Sequence, residues 1–182
     1  MAGVDRPDGV LADCFGLALA ARSVWSVDDH AGYQALASLA DSSPSASVFD
    51  RTLVEGDADC FAARTCTLRT VNHVVRESAL DAVTFELHKD LRWVEVEGLG
   101  PAILARAWIE EPAHGEEGEA GSNHVWQHFE LDVFVPDGAQ TRRYVAVWAE
   151  PDYAAISAET AGSFLLKSMD ETIAHTDAWL AE

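Results

Sequence analysis

HVWQHFELDVFVPDGAQTRRYVAVWA, residues 124–149, decides the fold class of this chain. Two runs of alternating apolar and polar side chains flank the tripeptide Pro136-Asp137-Gly138. Because successive side chains of a strand point to opposite faces, each run predicts a strand with one apolar face. Proline, aspartate and glycine are typical turn residues between such runs. The stretch therefore predicts an antiparallel hairpin.

The same period of two recurs upstream of this hairpin and predicts three further strands. Between the strands, the acidic and glycine-rich segment 111–123 is predicted to be an exposed, mobile loop. The upstream strands are Val83–Leu87, Trp93–Glu97 and Ala102–Glu110. The sheet should thus contain about five strands in a meander.

Helical periodicity marks both ends of the chain. The predicted helices run from Asp8 to about Ser23, from Val27 to Leu39, from Asp57 to roughly Arg76, and from about Ser157 to Leu180. Ser26 and Asp29 form a capping-box pattern before the second helix. Residues 41–47 are predicted as a loop, and residues 48–54 are compatible with either a strand or a helical turn.

This order of elements predicts an α+β domain with two layers, spanning residues 1–182. The N-terminal helices and the long C-terminal helix should cover the apolar face of the antiparallel sheet. In outline the order resembles several helix-grip and cone-shaped ligand-binding folds. A likeness in element order carries no function by itself.

The net charge excludes some classes of partner. The 182 residues carry 31 acidic and 12 basic side chains, a formal charge of −19. Such a surface repels phosphate, so we expect neither direct nucleic-acid binding nor anionic-membrane binding. The acidity is explained either by an acidic composition common to the proteins of the organism or by a surface that binds a basic protein. Because no apolar run approaches ~20 residues and the N-terminus is acidic, we expect a cytoplasmic protein.

Three cysteines, Cys14, Cys60 and Cys66, are too few for a disulfide framework, and we expect reduced, mostly buried thiols. No zinc-type cysteine spacing occurs. His124 and His128 are four residues apart on a strand, which places them ~13 Å apart and excludes a shared metal. His128 and Glu130 supply only two ligands. No glycine-rich phosphate loop is present either, so we expect neither a metal nor a cofactor.

Tryptophan placement is the most informative pattern for function. In residues 125–135 the odd positions are nearly all apolar, so we expect them to face the helices. The even positions, expected on the opposite face, are His124, Trp126, His128, Glu130, Asp132 and Phe134. The other strands place Trp93, Trp108 and Trp148 on that same predicted face.

Four tryptophans on one open sheet face would expose more apolar surface than monomers usually carry. The face is therefore either covered, by a second copy or by the N-terminal helices, or used as a binding surface. The predicted binding residues are Trp93, Trp108, Trp126, His128, Glu130 and Trp148. We expect a non-catalytic protein that holds a protein partner, another copy of itself or a small hydrophobic ligand.

A second interpretation concerns a thiol enzyme. Cys60 is predicted in the first turn of a helix, where the helix dipole lowers the pKa of a thiol. His124-Val125-Trp126 begins a strand, and Asp152 follows Trp148. This order resembles the transglutaminase-like cysteine enzymes. The resemblance implies Cys60 as nucleophile, His124 as base and Asp152 as its orienting acid, in an acyl-transfer enzyme or peptidase.

Overall fold

The hairpin predicted around Pro136 is present and joins two long neighbouring strands of the sheet. β7 (Asn123–Asp137) pairs with β8 (Gln140–Tyr153), and Asp137 lies opposite Gln140 across the turn. Gly138 has a φ of 67°, a left-handed conformation that glycine adopts at little cost. The tripeptide thus ends one strand and starts the next, as the sequence predicts.

The computed structural model describes residues 15–39, 46–77, 82–115, 123–153 and 157–182. Within these ranges the chain forms eight strands in one antiparallel sheet, together with three helices. The remaining strands are β1 (Phe15–Ser23), β2 (Ala46–Glu55), β3 (Leu68–Glu77), β4 (Ala82–Val96), β5 (Gly100–Trp108) and β6 (Ala113–Gly115). The helices are α1 (Val27–Gln34), α2 (Ala58–Ala62) and α3 (Ala158–Leu180).

The strand order is β1-β8-β7-β5-β4-β3-β2, and the short β6 bridges β4 and β7. Neighbours in the sheet are mostly neighbours in sequence, which gives the predicted meander, but the sheet is larger than the five strands expected. The predicted strands Val83–Leu87 and Trp93–Glu97 are not separate, because both lie in the continuous strand β4. β1 departs from this order, because the first strand of the chain pairs with the last strand, β8. One long sheet results, with β1 and β2 at its two edges.

Two helices agree with the sequence pattern. At α1 the Ser26 hydroxyl accepts from the backbone N–H of Asp29 at 3.2 Å, and the Asp29 carboxylate accepts from the Ser26 N–H at 2.9 Å. This is the predicted capping box. The helix ends at Gln34 rather than Leu39, because Ser38 already bridges to Asp50 of β2. α3 follows its prediction closely.

Two predicted helices are wrong. Residues 15–23 of the first form β1, and its first residues, 8–14, lie outside the described part of the chain. Of the third, only Ala58–Ala62 is helical, and Leu68–Glu77 is strand β3. Alanines in β1 and scattered apolar residues in β3 fit a helical and an extended period equally well, so pairing in the sheet decides.

The predicted loops have two outcomes. Residues 46–55 form β2, which settles the ambiguous 48–54 segment as a strand, and residues 40–45 lie outside the described ranges. In the acidic segment, residues 113–115 form β6, while 116–122 are likewise not described. The prediction of an exposed mobile loop stays a prediction for that stretch.

α3 packs on one face of the sheet beside β1 and β8. Its Met169 and Ile173 lie against Val145 and Val147 of β8. Near the C-terminus of α3, the Ser23 hydroxyl donates to the Asp177 carboxylate at 2.6 Å. The Tyr33 and Trp179 rings also meet edge to face, with centroids 5.4 Å apart. None of the helices in the described ranges is long and apolar enough to cross a membrane.

Candidate functional site

The sheet face that α1 and α3 cover, called the inner face here, is defined by the strand registers. On β7 it carries the even positions from residue 128 to 134, because Phe134 packs against α1 and α2. Glu130 lies opposite Val147 of β8, and Asp132 lies opposite Ala105 of β5. The inner face therefore continues through the odd positions of β8, β5 and β4.

A band of polar and charged side chains crosses the middle of this inner face. Its members, called the interior polar band, are Arg51, Thr70, Asn72, Lys89, Glu130, Asp132 and Arg143. They belong to five strands and lie in cross-strand register, with Arg51 opposite Asn72 and Thr70 opposite Lys89. Burying ionised groups is costly unless each finds a partner, so the contacts of the band decide what it can do.

Arg143 and Asp132 form the best-defined ion pair of the band. The Nε of Arg143 donates to both carboxylate oxygens of Asp132, at 3.0 and 3.1 Å, and Nη2 donates to Oδ2. Both side chains are almost completely buried. Burial alone would lower the pKa of Arg143, but the adjacent Asp132 charge outweighs burial and raises it. Arg143 is therefore charged, and Asp132 is its hydrogen-bonded partner.

Lys89 and Glu130 lie next to this pair. The ammonium group of Lys89 donates to Oε1 of Gln34 at 2.8 Å, and its burial lowers the pKa of Lys89 despite the nearby acids. Burial also opposes ionisation of Glu130. His128, whose Nε2 lies 3.8 Å from Oε2 of Glu130, and the charges of Lys89 and Arg143 nevertheless lower its pKa to about 2. Glu130 is thus a carboxylate held among positive groups.

Arg51 binds neutral oxygens only. Its Nε donates to the side-chain oxygen of Asn72 at 2.9 Å, and its Nη1 donates to the carbonyls of Gln34 and Leu36 at 2.6 and 2.9 Å. Burial lowers the pKa of Arg51 to about 10, which still leaves it charged at neutral pH. These bonds also tie the end of α1 to β2.

His30 of α1 completes the lining at one end of the band. Its ring centroid lies 5.0 Å from that of Phe134, and only 1% of the residue is exposed. Burial lowers the pKa of His30 to about 4, and the positive charge of Arg143 acts in the same direction. His30 is therefore neutral at neutral pH.

Apolar clusters flank the interior polar band on both sides. One surrounds α2 and contains Val27, Ala31, Phe61, Leu68, Leu91, Ile103, Ala105 and Phe134. The other lies towards the C-terminal end of α3 and contains Tyr33, Leu39, Phe49, Val74, Leu87, Ala107 and Ile109. The inner face is amphipathic along its length.

Of the four predicted tryptophans, Trp108 and Trp148 lie on the outer face, as predicted. Both are in register with Phe129, whose ring centroid is 5.8 Å from that of Trp148. On the other side, the Trp108 ring stacks on His88 at 5.6 Å. Trp148 is 42% exposed. An aromatic row thus crosses four strands on the side away from α3.

Trp93 and Trp126 are not part of this row, so the prediction of one shared tryptophan face is wrong. Trp93 pairs with the buried Ile103 on the inner face, and its indole N–H donates to the carbonyl of Phe61 at 2.7 Å. Trp126 lies at a bulge, where the β7–β8 register shifts, and its N–H reaches Asp152 at 3.3 Å. The bulge reverses the alternation that the sequence implies.

His128 and Glu130 also lie on the inner face, contrary to prediction, with Nε2 and Oε2 3.8 Å apart. The apolar odd positions of β7 from Phe129 to Val133 point outward instead. Assigning the more apolar side of β7 to the helices fails because the buried side carries paired charges. Only Val125, beyond the bulge, faces the helices as expected.

The cysteine-enzyme interpretation is contradicted. Cys60 and Cys66 form a disulfide, with Cα atoms 5.6 Å apart, so the prediction of reduced thiols at these positions is wrong. Cys14 lies outside the described residues. Because disulfides persist mainly in oxidising compartments, the bond bears on the cytoplasmic prediction, which stays a prediction.

The triad geometry fails as well. His124 and Asp152 do lie opposite each other on β7 and β8. The α2 helix of Cys60, however, packs through Phe61 against Phe134, ten residues further along β7. At ~3.3 Å per residue that is on the order of 30 Å from His124. Cys60 therefore has neither a free thiol nor a nearby base.

His114 and His124 form an unexpected pair near the same end of β7, with their Nδ1 atoms 2.9 Å apart. This distance fits a hydrogen bond in which one ring donates and the other accepts. Within the described ranges no group of three or more histidine, cysteine, aspartate or glutamate side chains is arranged to hold a metal.

An open cleft of about 490 Å³ lies between α1 and α2. Arg64 bridges it by donating from Nη2 to both carboxylate oxygens of Asp28, at 2.6 and 2.9 Å. The cleft is lined by Asp28, Ala31, Ala62, Ala63 and Arg64. Ala31 follows His30 in α1, so the cleft borders the end of the inner face.

The functional residues that sequence reasoning missed are the buried cations and His30. A usable signal exists on β4, where Lys89, one of only two lysines in the chain, stands on the side of the strand that carries Leu87 and Leu91. Asp132, between Leu131 and Val133, is a similar signal on β7. If Lys89 and Asp132 are assumed to face inward, they indicate the correct inner side of β4 and β7.

This architecture, an eight-stranded antiparallel sheet with a long C-terminal helix packed on one face, is the Bet v1/START fold. No protein-family profile matches the chain, and no curated protein sequence is significantly similar to it. The fold class is therefore shown by solved structures alone.

Three solved structures illustrate the likeness. A STAR-related lipid transfer protein fragment from Xanthomonas axonopodis has a TM-score of 0.63 and 13% identity, covering 92% of this chain and 86% of its own. A START superfamily protein from Mycobacterium smegmatis has a TM-score of 0.58, 10% identity, and coverages of 91% and 97%. Major latex-like protein 151 from Panax ginseng has a TM-score of 0.57 and 10% identity, covering 94% of this chain and 100% of its own.

Proposed function

We propose that this protein binds a small hydrophobic ligand between the inner face of the sheet and the helices, without catalysing a reaction on it. The observation that carries the proposal is the construction of the inner face, on which two apolar clusters flank the interior polar band. Binding sites for small molecules are mostly apolar with a few placed polar groups. The inner face has that composition.

The fold supports the same proposal. The Xanthomonas axonopodis protein, which shares it over 92% of this chain, is described as a lipid transfer protein. α3 approaches the sheet most closely along β1 and β8. The central strands, which carry the polar band, therefore meet the helical layer mainly through α1. We assign the ligand to this central part of the inner face, with Trp93 and Glu130 among the residues that border it.

Titration with the neutral fluorophore N-phenyl-1-naphthylamine tests the proposal. We expect saturable enhancement of its fluorescence at a stoichiometry near one. Ala107→Leu, which enlarges a buried side chain on the inner face, should weaken the affinity about tenfold or more because it fills the space assigned to the ligand.

Ala18→Leu is the matched control, since Ala18 is exposed on β1 and opposite Ala146 on the outer face. Its affinity for the fluorophore should equal that of the wild type. No saturable binding by the wild-type protein, or equal weakening by both substitutions, would refute the proposal.

A role for the outer face in self-association rests on different residues. Trp148 and Tyr144 are 42% and 45% exposed there, beside Trp108 and Phe129. Of the tryptophans predicted to form a binding surface, only Trp108 and Trp148 support this candidate. Self-association through the outer face would be independent of ligand binding on the inner face.

A further inference from the structure

The end of the inner face beside Phe134 holds three polar side chains close together. Arg143 lies opposite Phe134 in the β7–β8 register, and its guanidinium carbon is 5.0 Å from the Phe134 ring centroid. His30 approaches the same ring at 5.0 Å. Thr141 is two residues from Arg143 on the same side of β8. These residues therefore share one corner of the interior.

Within the part of the chain that the structure describes, all three side chains have hydrogen-bonding atoms without a partner. Those atoms are Nη1 of Arg143, both ring nitrogens of His30 and the hydroxyl of Thr141. The three residues are at most 5% exposed. Buried polar groups are normally satisfied, because leaving one unpaired costs free energy. In the rest of the described interior, Asn72, Lys89 and Asp132 have partners, while Nη2 of Arg51 and Nε2 of His128 are single atoms without a hydrogen-bond partner, away from this corner.

The charge of the interior favours an anion at this corner. The band contains three basic side chains, Arg51, Lys89 and Arg143, against the two acids Glu130 and Asp132. Asp132 is engaged by Arg143, and Arg51 binds only neutral oxygens. The positive charge of Arg143 also helps to lower the pKa of His30, which places that ring in a positive field. Asp29 opposes this effect from the preceding position of α1.

We propose that the ligand is an amphiphile with a carboxylate end, and that this carboxylate accepts hydrogen bonds from Nη1 of Arg143, from His30 and from the hydroxyl of Thr141. The inference rests on the proposed function and adds the chemical class of the ligand. The apolar body extends from this corner along the cluster that contains Leu91 and Ile103. Carboxylates accept the strongest hydrogen bonds from guanidinium groups, and planar geometry suits both.

Displacement of bound N-phenyl-1-naphthylamine by decanoate and by 1-decanol tests the inference, since the two competitors share their carbon chain. At pH 7.4 and 0.15 M salt, decanoate should displace the fluorophore at a concentration about tenfold to a hundredfold lower, the factor typical of hydrogen bonds to a charged group. Screening by salt limits the repulsion between decanoate and the acidic surface.

His30→Leu and Thr141→Val remove donors at the corner without leaving a partner unpaired. Each should reduce the preference for decanoate several-fold, and the double variant should bring it near one, because the affinity for decanoate falls far more than that for decanol. A purely structural role predicts equal changes for both competitors. Thr176→Val is the control, because that buried hydroxyl donates to the Thr172 carbonyl within α3, and it should keep the preference.

The outcomes separate the two proposals. Equal displacement by decanoate and decanol in the wild type overturns the carboxylate site and leaves the proposed function standing. A preference for decanoate that survives in the double variant overturns the assignment to this corner. Failure of the wild type to bind the fluorophore at all overturns the proposed function and the inference with it.

Discussion

The buried neutral His30 should make the protein sensitive to acid over a defined range. In the unfolded chain the imidazole has its ordinary pKa of 6.5, and in the folded protein its pKa is about 4. Between these values the unfolded chain binds more protons, so the free energy of unfolding falls as the pH falls. The contribution of the neutral His30 to the free energy of unfolding is fully present above pH 6.5 and is lost progressively towards pH 4.

The magnitude follows from the two pKa values. Each tenfold difference in proton affinity is worth ~1.4 kcal/mol, so the gap between 6.5 and about 4 corresponds to roughly 3 kcal/mol in full. By pH 4.5 most of this has been lost, about 2 kcal/mol relative to pH 7.5. For a domain with a typical stability of about 5–15 kcal/mol, this loss is easily measured.

Urea unfolding followed by tryptophan fluorescence at pH 7.5 and 4.5 measures the effect. Other groups also titrate here, so the informative quantity is the difference between wild type and His30→Leu. The variant should lose about 2 kcal/mol less on acidification. His175→Gln, on the exposed side of α3, should lose as much as the wild type. Equal losses in wild type and His30→Leu would show that His30 is not held neutral by burial.

Three further predictions concern stability and assembly. Cys60→Ala/Cys66→Ala should lower the free energy of unfolding by about 2 kcal/mol, the value for so short a loop; a reductant should lower it equally in the wild type and have no effect on the variant. Arg143→Met should lower the free energy of unfolding by about 3–5 kcal/mol, because it leaves the buried Asp132 without its partner. Adding Asp132→Leu should restore most of this loss, and a double variant no more stable than Arg143→Met would contradict the prediction. Trp148→Ala should shift any oligomer towards monomer in sedimentation velocity, and an unchanged distribution argues against self-association through the outer face.

Local patterns with one physical solution were predictable from the sequence. The hairpin around Pro136 combines turn chemistry with alternation on both sides, and the Ser26–Asp29 capping box fixes the start of α1. Ser157 similarly begins α3, whose apolar stripe is long enough to exclude a strand. Each case joins a local backbone signal to a periodic one.

Patterns that depend on distant partners were not predictable. β1 contains alternating leucine and alanine, and only pairing with β8 selects the extended form over a helix. On β7, the more apolar side faces outward because Glu130 and Asp132 are neutralised by Lys89 and Arg143 from other strands. A bulge at Trp126 shifts the register once more. These are tertiary effects, and no window of the sequence contains them.

The sequence pattern predicts a binding surface on the outer face of the sheet, whereas the ligand proposed from the structure lies against the inner face. Glu130 and Trp93 were singled out and border the proposed ligand, although they were expected on the opposite face. His30 and Arg143 gave no signal, because a histidine in a short helix and an arginine after a turn are ordinary surface residues by composition. Their burial follows from how α1 lies across β5 and β7.

The pairing of β1 with β8 has a consequence for the newly made chain. Phe15 finds its partner at Ala149, so the first strand leaves the ribosome long before its partner strand is made. At typical rates of synthesis this interval is on the order of ten seconds. For that time the leucines of β1 are uncovered, and α3 is made later still. Long-range pairing of this kind slows folding and exposes nascent chains to aggregation. The dense negative charge of the polypeptide, which keeps copies apart, is therefore of most use before the sheet is complete.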